Sequence, residues 1–400
     1  MADCDLLVIG AGISGLSMAH YAAAAGLDAW VLEQDQRVGG CLHSQRFGGD
    51  LADFWLELGA HSSFNSYGQL LAILEAAQAL DRLQPRVRLP FRLFAGGAIH
   101  SIPSQLHWIE LLGAPLRLLG ASKTGCSVAD YYRRIVGRRN YAAVFAPAFD
   151  AVICQPSGGF PADGLFRPRP RRKDVPRGFT LAGGLQSMAE IIAARPGIRV
   201  ERGQMAQAID RDGGDFVVRT ADRRFTAPAL ALAVPVAVAA SLLQTAFPEL
   251  AQQLAQVSTA TVESLGVALP RSRLRLPPLA GLIGRDEAFY SVVSRDTAPD
   301  PAWRGFTFHF RPGVLDEAGQ RACIARVLEL PVDGLKTAHV VSKTNRLPAL
   351  RAGHGQWIGA VDRLLAGQRL ALTGNYFAGV AIEDCVTRSL AEFIRLQREG

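Results

Sequence analysis

The amino-acid sequence predicts an α/β protein with a second, α+β domain inserted into it in two pieces. Strand and helix patterns of a buried parallel sheet occupy residues 1–72, 178–235 and 338–400. Residues 73–177 and 236–337 instead mix amphipathic helices with alternating strands. These three separated α/β pieces predict one discontinuous domain, and the two mixed pieces predict an inserted second domain.

The first element is a strand, glycine turn, helix and strand. "DLLVIG" is a short apolar run that ends in glycine, as a buried parallel strand does. "SGLSMAHYAAAAG" has helix composition and ends at Gly26, a plausible C-terminal cap. "DAWVLE" supplies the second strand. This βαβ unit predicts a Rossmann-like domain.

The glycine turn carries the first chemical signal. Gly10 permits a tight turn, Gly12 lets the backbone approach a pyrophosphate, and Gly15 lets helix and strand pack closely. The N–H groups that begin the helix favour phosphate. Glu33 ends the second strand, where an acid binds ribose hydroxyls. The unit therefore predicts a dinucleotide site.

The inserted domain begins with helical patterns at residues 67–80, 104–120 and 127–137, and a hairpin turning at Gly96-Gly97. Residues 167–178 form a Pro/Arg-rich loop. We expect the apolar face of helix 104–120, which includes Trp108, to pack over a substrate cavity in preference to a peripheral membrane contact.

The remaining chain predicts a helix, a strand and a hairpin over residues 179–220, with the hairpin turning at Gly213-Gly214. A buried strand follows at 229–235. Alternating strands are expected at 261–270 and 306–312. A strand at 369–377 and a helix at 381–396 close the chain.

Composition limits the class of function. The net charge of +7 permits an anionic ligand, but no nucleic-acid-binding signature accompanies it. The six cysteines include no CxxC pair, so neither a metal site nor a redox pair is predicted. No signal peptide precedes the first strand, and a cytoplasmic location is expected.

Two further features favour FAD over NAD as the dinucleotide. "RVGG" follows Glu33 and adds a second glycine turn. "LALTGNYFAGVAIEDCV" ends in a helix whose N-terminus is positioned to stabilise the anion of a reduced flavin. An NAD domain needs no such C-terminal return, so the sequence predicts a resident FAD.

These residues resemble the flavin amine-oxidase superfamily, and most closely its protoporphyrinogen oxidases. The resemblance rests on "GAGISGLSMAHYAAAAG", "VLEQDQRVGG", "LELGAHSSF", "SVADYYRRIVG", "FTLAGGLQSMAE", "LPALRAGH" and "LTGNYFAGVAIEDCV". Together these segments span Val8 to Val386.

The resemblance implies a set of FAD-binding residues and three catalytic candidates. By similarity, the pyrophosphate, the adenosine and the flavin would be contacted by Gly10, Gly12, Ser14, Gly15, Glu33, Gln34, Arg37, Gly39, Gly40, Leu58, Gly59, Ala60, Met205, Gly374, Asn375, Gly379, Val380 and Ala381. The catalytic candidates are His61, His354 and Lys343. Cys385 is expected to be a packing residue, so the FAD is expected to be non-covalent.

The chain departs from the superfamily pattern in three places. Cys41-Leu42-His43 stands where relatives usually carry a basic residue that reaches the cofactor, and Asn375 replaces a common acid. The lysine that bridges a water to the flavin in amine oxidases has no match in "STATVESLGVAL". This last departure counts against a simple amine oxidase.

The resemblance implies an FAD-dependent oxidase or dehydrogenase. A hydride would pass to flavin N5 from a substrate carbon, in a C–N unit or a ring C–H of a nitrogen heterocycle or porphyrinogen-like compound, and O2 would reoxidise the flavin. The alternatives are a carotenoid-like desaturase, a flavin-dependent sugar mutase, and a non-catalytic flavoprotein.

Overall fold

The computed structural model describes residues 2–51 and 53–399. Its strands are β1 (Leu6–Ile9), β2 (Ala29–Glu33), β3 (Ser44–Arg46), β4 (Trp55–Glu57), β5 (Ser63–Phe64), β6 (Leu83–Pro85), β7 (Phe91–Ala95), β8 (Ala98–Ser101), β9 (Gly178–Leu181), β10 (Ile198–Arg202), β11 (Ala208–Asp212), β12 (Asp215–Arg219), β13 (Arg224–Ala227), β14 (Ala229–Leu232), β15 (Thr259–Pro270), β16 (Gly281–Gly284), β17 (Phe289–Ser294), β18 (Trp303–Phe310), β19 (His339–Pro348) and β20 (Leu370–Leu372). Its α-helices are α1 (Ile13–Ala24), α2 (Gly68–Ala76), α3 (Trp108–Leu111), α4 (Ala114–Leu118), α5 (Val128–Val136), α6 (Arg138–Asn140), α7 (Ala146–Ile153), α8 (Gln186–Ala193), α9 (Val236–Leu243), α10 (Pro248–Leu254), α11 (Glu317–Val327), α12 (His354–Leu365) and α13 (Ile382–Glu399).

A five-stranded parallel sheet lies at the centre of the first domain, in the order β10-β2-β1-β14-β20. Both faces of β1 are buried. Leu6 and Val8 face helices α1, α2, α8 and α13, whereas Leu7 and Ile9 face β11–β13 and helices α9, α10 and α12. This burial explains why the strand is a continuous apolar run. The predicted α/β fold with a Rossmann-like unit is confirmed.

A second, seven-stranded sheet runs in the order β19-β15-β18-β17-β16-β7-β8. Only the β16–β7 pair is parallel among its described strands. Helix α11 covers one face. On the other face, Gly266 and Gly305 leave room for the side chain of Leu56, because a Cβ at either position would lie within about 3 Å of it. The two glycines therefore seat this sheet on β4.

The strands of the parallel sheet come from three separated stretches of the chain. All strands of the parallel sheet fall within residues 1–72, 178–235 and 338–400. Strand β19 also falls within the last of these ranges, yet it pairs with β15 in the seven-stranded sheet. The side chains of β19 therefore reach toward the first domain from the second sheet.

Both predicted glycine hairpins are confirmed. Gly96 and Gly97 join β7 to β8, and Gly213 and Gly214 join β11 to β12. All four glycines have positive φ, which the two central residues of a type I′ hairpin turn require. The helix predicted at 127–137 is also present as α5, and the Ser127 side chain caps it by accepting from Asp130 N.

The single helix predicted at 104–120 is wrong. The segment forms two short helices, α3 and α4, which are interrupted at Gly113 just before Pro115. Proline cannot continue a helix from the preceding turn, so the pattern breaks there. The apolar side chains of the segment are largely uncovered, since Trp108 is 61% exposed and Ile109 is 88% exposed. Within the described residues, no helix combines the length and apolarity that crossing a membrane requires.

Candidate functional site

Two glycines of the turn after β1 are packed closely against backbone carbonyl oxygens of the protein itself. Gly10 has φ of +100°, and a Cβ on it would lie 2.7 Å from the carbonyl oxygen of Ala233. A Cβ on Gly15 would lie 1.9 Å from the carbonyl oxygen of Gly10. These two glycines are required by the fold itself.

Gly12 is different, because no internal contact requires glycine there. Its φ of −73° suits any residue, and a Cβ would meet no protein atom closer than Gly40 Cα at 3.9 Å. Gly12 and Gly40 therefore face each other across a narrow open space at the N-terminus of α1. We call this pair of facing backbones the glycine cradle. Its shape fits a ligand group that approaches the backbone closely, as a phosphate does.

The acid at the end of β2 joins the glycine turn. Glu33 Oε2 accepts from Ala11 N at 2.8 Å, and Oε1 accepts from Asp35 N at 3.0 Å. Gln34 is exposed beside it. Met205 is 53% exposed, and the backbone next to it is held against Glu33 because Gln204 N donates to Glu33 O at 2.8 Å. The structure thus brings Met205 and Glu33 together at one end of the site.

Two cations converge on the second glycine turn. Arg37 Nη2 donates to Gly40 O at 2.9 Å, and Lys343 Nζ donates to the same oxygen at 3.3 Å. Gly39 and Gly12 form an isolated parallel β-bridge. Burial, and then the charge of Arg37, lower the pKa of Lys343 to about 8. The cradle is therefore bordered by positive charge.

The segment after β4 runs antiparallel to the residues that follow the cradle. Leu58 N donates to His43 O at 2.8 Å, and Ala60 N donates to Cys41 O at 2.9 Å. A Cβ on Gly59 would lie 2.0 Å from Cys41 O, so only glycine permits this approach. The pairing carries the chain from the cradle to His61.

His61 begins a buried polar chain that the sequence did not predict. Its Nε2 lies 2.7 Å from His309 Nε2, and His309 Nδ1 lies 3.0 Å from Ser264 Oγ. Asn345 Nδ2 donates to Ser264 Oγ at 3.0 Å and to Leu58 O at 2.8 Å. Burial lowers the pKa of His309 to about 4. Burial, His309 and Arg86 also hold the pKa of His61 well below its ordinary value. Both rings are therefore neutral near pH 7.

The donors in this chain can be assigned from one end. An amide Nδ2 only donates, so Ser264 Oγ accepts from Asn345 and is free to donate its own proton to His309 Nδ1. His309 then carries its proton on Nε2 and donates it to His61 Nε2. The remaining proton of neutral His61 lies on Nδ1, which has no hydrogen-bond partner within residues 2–51 and 53–399. His61 thus presents an N–H donor at the open end of the chain.

A small cavity of about 30 Å³, room for about one water, lies beside His61 and is lined by Glu57, Arg86 and Arg295 among others. Burial raises the pKa of Glu57 to about 7, despite hydrogen bonds from Leu185 N and Ser44 Oγ that lower it. Glu57 is therefore poised between its neutral and charged forms near neutral pH. The hydrogen bond that Glu57 accepts from Leu185 N connects the loop before α8 to β4.

The last helix begins beside the first. Ser389 Oγ lies 2.8 Å from Ser14 O, and the buried thiol of Cys385 contacts Ser14. Glu383 accepts from the N–H groups of Gln69 and Leu70, so it caps α2 from outside. The N-termini of α1 and α13 consequently lie together at the carboxyl edge of the parallel sheet, where α/β proteins place their ligands.

The loop before α13 is shaped by close contacts. A Cβ on Gly374 would lie 2.5 Å from the Tyr376 ring, and a Cβ on Gly379 would lie 2.5 Å from Asp384 Oδ2. Asp384 also pairs with Arg169 of the Pro/Arg-rich loop. Asn375, Val380 and Ala381 lie along this loop and are partly exposed, so their side chains remain accessible.

The three catalytic candidates occupy different places. His61 ends the polar chain, and Lys343 borders the cradle. His354 begins α12, where its Nε2 donates to Tyr376 O at 2.7 Å and its ring stacks on Trp357. His354 therefore holds the loop before α13. His309, Ser264 and Asn345 were missed. The strands of Ser264 and His309 were predicted, but the strand of Asn345 and the register that aligns the three residues were not.

Comparison with known proteins agrees with this architecture. The sequence model of the NAD(P)-binding Rossmann-like domain family matches residues 8–77. A protein assigned as a protoporphyrinogen oxidase from Exiguobacterium sp. 255-15 is 18% identical, with full coverage of both chains and a TM-score of 0.81. Cyclohexylamine oxidase from Brevibacterium oxydans IH-35A is 12% identical over 99% of each chain, with a TM-score of 0.69. A reduced UDP-galactopyranose mutase is 14% identical, covers 99% of this chain and 96% of its own, and has a TM-score of 0.74. The chain therefore shares the fold of these three proteins.

Proposed function

We propose that this protein is an FAD-dependent oxidoreductase that holds its FAD non-covalently. One observation carries the proposal: the N-termini of α1 and α13 meet beside the glycine cradle at the carboxyl edge of the sheet. Two helix N-termini and an open glycine backbone provide N–H donors for a pyrophosphate at one point and for a second electron-rich group at another.

The C-terminal return favours FAD over NAD as the ligand. The first βαβ unit and Glu33 suit any dinucleotide, but the loop at 374–381 and helix α13 extend the site beyond what a nicotinamide domain uses. The residues 58–61 continue the site on the other side of the cradle. A long cofactor with two ring systems fits this extended path.

Non-covalent attachment is supported by the state of Cys385. Its thiol is buried, and burial raises its pKa to about 12. A covalent link to a flavin requires a thiolate, which this environment opposes. The protein would release FAD on denaturation.

Bound FAD would supply the redox chemistry by accepting a hydride at flavin N5 from a substrate carbon. The chain's own contribution is positioning. His61 presents an N–H donor from a neutral ring, and His309, Ser264 and Asn345 fix its orientation. We propose a small-molecule substrate with a C–N unit or a ring C–H next to nitrogen, such as a cyclic amine or a porphyrinogen, and O2 as the acceptor.

The direct test is spectroscopic. The purified protein, or its apoprotein after reconstitution, is expected to show flavin absorption, and trichloroacetic acid should release the flavin from the precipitate into solution. Anaerobic bleaching with a panel of cyclic amines, porphyrinogens and polyenes then identifies the substrate class. Bleaching by polyenes alone would favour a carotenoid-like desaturase. FAD that no substrate reduces would favour a non-catalytic flavoprotein.

A redox-neutral isomerase, such as a sugar mutase, is the second candidate. Ser264 stands in the middle of "STATVESLGVAL", where the sequence lacks the lysine of amine oxidases, and it serves the histidine chain instead. A mutase would require flavin that is already reduced and would consume no oxygen. Oxygen uptake with substrate therefore separates the two candidates.

We also propose a reducing, cytoplasmic setting for this protein. All six cysteines are free thiols, and three of them are buried. Buried thiols persist where disulfide formation is disfavoured. Thiol labelling of protein trapped in intact cells is expected to recover all six as reduced.

A further inference from the structure

We propose that Lys343 binds the phosphates of the cofactor and takes no part in the chemical step. This inference rests on the proposed FAD binding and gives Lys343, one of the catalytic candidates from the sequence, a role in cofactor binding instead. The geometry that carries it is the meeting of Lys343 and Arg37 at the glycine cradle.

The position of Lys343 is the first argument. Strand β19 directs the side chain across to the first domain, where Nζ lies 3.3 Å from Gly40 O. A Cβ built on Gly40 would in turn lie 3.2 Å from Gly12 Cα and 3.9 Å from Gly12 N. The ammonium group therefore lies at the border of the cradle, within reach of a group bound at the N-terminus of α1.

The second argument is unbalanced charge. Arg37 and Lys343 both donate to Gly40 O, and neither forms an ion pair with a carboxylate in the part of the chain that the structure describes. Arg169, Arg172 and Arg304, which are also shielded from solvent, do form such pairs. Two half-buried cations that share one neutral acceptor repel each other, and an anion between them would relieve the repulsion. A diphosphate carries the matching charge.

The protonation of Lys343 would respond to a phosphate bound beside it. Burial and Arg37 lower its pKa to about 8. Cys41, Asp35 and His43 also face it, and the pKa of His43 is lowered to about 4, so that ring is neutral near pH 8. A bound phosphate would raise the pKa of Lys343. Binding should therefore take up a proton.

The sequence offers a reason why this lysine is needed. Cys41 follows the second glycine turn, at the position where the resemblance implies a basic residue that reaches the cofactor. Lys343 reaches the same turn from the seven-stranded sheet. The positive charge would thus be supplied from the other domain, and the bound phosphate would join the two sheets.

Calorimetric titration of the apoprotein with FAD, ADP and riboflavin tests the assignment. We expect Lys343→Met to weaken FAD and ADP binding by about 10- to 100-fold and to leave riboflavin binding unchanged, because riboflavin has no phosphate. Lys336→Met is the matched control, since Lys336 is exposed and pairs with Asp333, and it should change none of the three. Cys41→Arg added to Lys343→Met should restore FAD affinity.

Proton uptake provides a readout on the unmodified chain. Titration with FAD at pH 8 in buffers of different ionisation enthalpy should show about half a proton taken up, because a lysine with a pKa of about 8 is half charged there. Cys41→Ser should keep this uptake, which excludes the thiol as its source. Lys343→Met should lose it.

The outcomes separate the two proposals. If the wild type binds no FAD, the proposed function fails. If the wild type binds FAD but Lys343→Met binds FAD and ADP equally well, or if the wild type takes up no proton at pH 8, the assignment of Lys343 is wrong. An equal loss of riboflavin binding would also overturn it, because the lysine would then act on the fold or on the ring.

Discussion

Replacing Gly12 with alanine should abolish cofactor binding without harming the fold. The backbone of Gly12 has φ of −73° and ψ of 176°, which alanine adopts freely. An alanine Cβ would lie 3.9 Å from Gly40 Cα, an ordinary van der Waals contact. The methyl group therefore fills the cradle and leaves no room for a phosphate oxygen.

The expected loss of FAD affinity follows from the hydrogen bonds that the phosphate would no longer accept from backbone N–H groups. Each charge-assisted hydrogen bond to a backbone N–H contributes about 1.5–3 kcal/mol, so excluding the phosphate should weaken FAD binding at least about 100-fold, or about 2.7 kcal/mol. The apoprotein should be unchanged or up to about 1 kcal/mol more stable, because alanine restricts the unfolded chain.

Thermal denaturation with and without FAD measures both effects. At about 100 times its Kd, FAD should stabilise the wild type by about 2.7 kcal/mol, which raises the Tm of a 400-residue chain by about 3 °C. Gly12→Ala should keep the apoprotein Tm and lose this shift. Gly26→Ala is the inverse control, because Gly26 has φ of +82° and no protein atom near its Cβ position. It should lower the apoprotein Tm and keep the shift. A full FAD-induced shift in Gly12→Ala would refute the placement of the phosphate.

Three further predictions test other parts of the structure. Burial raises the pKa of Glu57 from 4.5 to about 7, so ionisation of Glu57 destabilises the folded state. The Tm of the wild type should therefore fall relative to that of Glu57→Gln as the pH rises from about 4.5 to about 7. A difference in Tm that stays constant over this range would contradict the prediction. In Asn345→Asp, a carboxylate oxygen accepts a hydrogen bond where the asparagine amide donates one. The change should raise the pKa of His309 above about 4 and move the His309 proton from Nε2 to Nδ1, which 15N NMR of labelled histidine would report. Unchanged nitrogen chemical shifts would disprove the assigned order of donors. Phe306→Ala should cost about 3–5 kcal/mol in chemical denaturation, whereas Ile109→Ala, at an 88% exposed position, should cost less than about 0.5 kcal/mol; similar losses would show that segment 104–120 is packed after all.

Local sequence signals predicted the elements that local physics determines. Gly10 and the two Gly-Gly hairpins depend on backbone angles that glycine alone adopts easily, so each could be predicted from its own segment. The prediction of one helix at 104–120 is wrong because the apolar periodicity of the segment continues across Gly113 and Pro115, whereas the helix does not.

Contacts between distant strands were outside the reach of such signals. His309 and Ser264 pair directly in the β15–β18 register, and Lys343 faces Ser264 on the other side of β15. Alternation shows which face of a strand is buried, but it does not show which strand lies beside it. The histidine chain and the cation at Gly40 therefore emerge only when the sheet is assembled.

The contact between Ser14 and Ser389 places a constraint on biosynthesis. These residues are 375 positions apart, yet the Ser389 hydroxyl lies 2.8 Å from the carbonyl oxygen of Ser14 in the first turn of α1. At about 5–20 residues per second, tens of seconds of translation separate them. The nucleotide turn is synthesised before its partner helix, which follows 375 positions later. Flavin capture is therefore expected after translation, and ribosome-stalled chains that lack α13 should carry none.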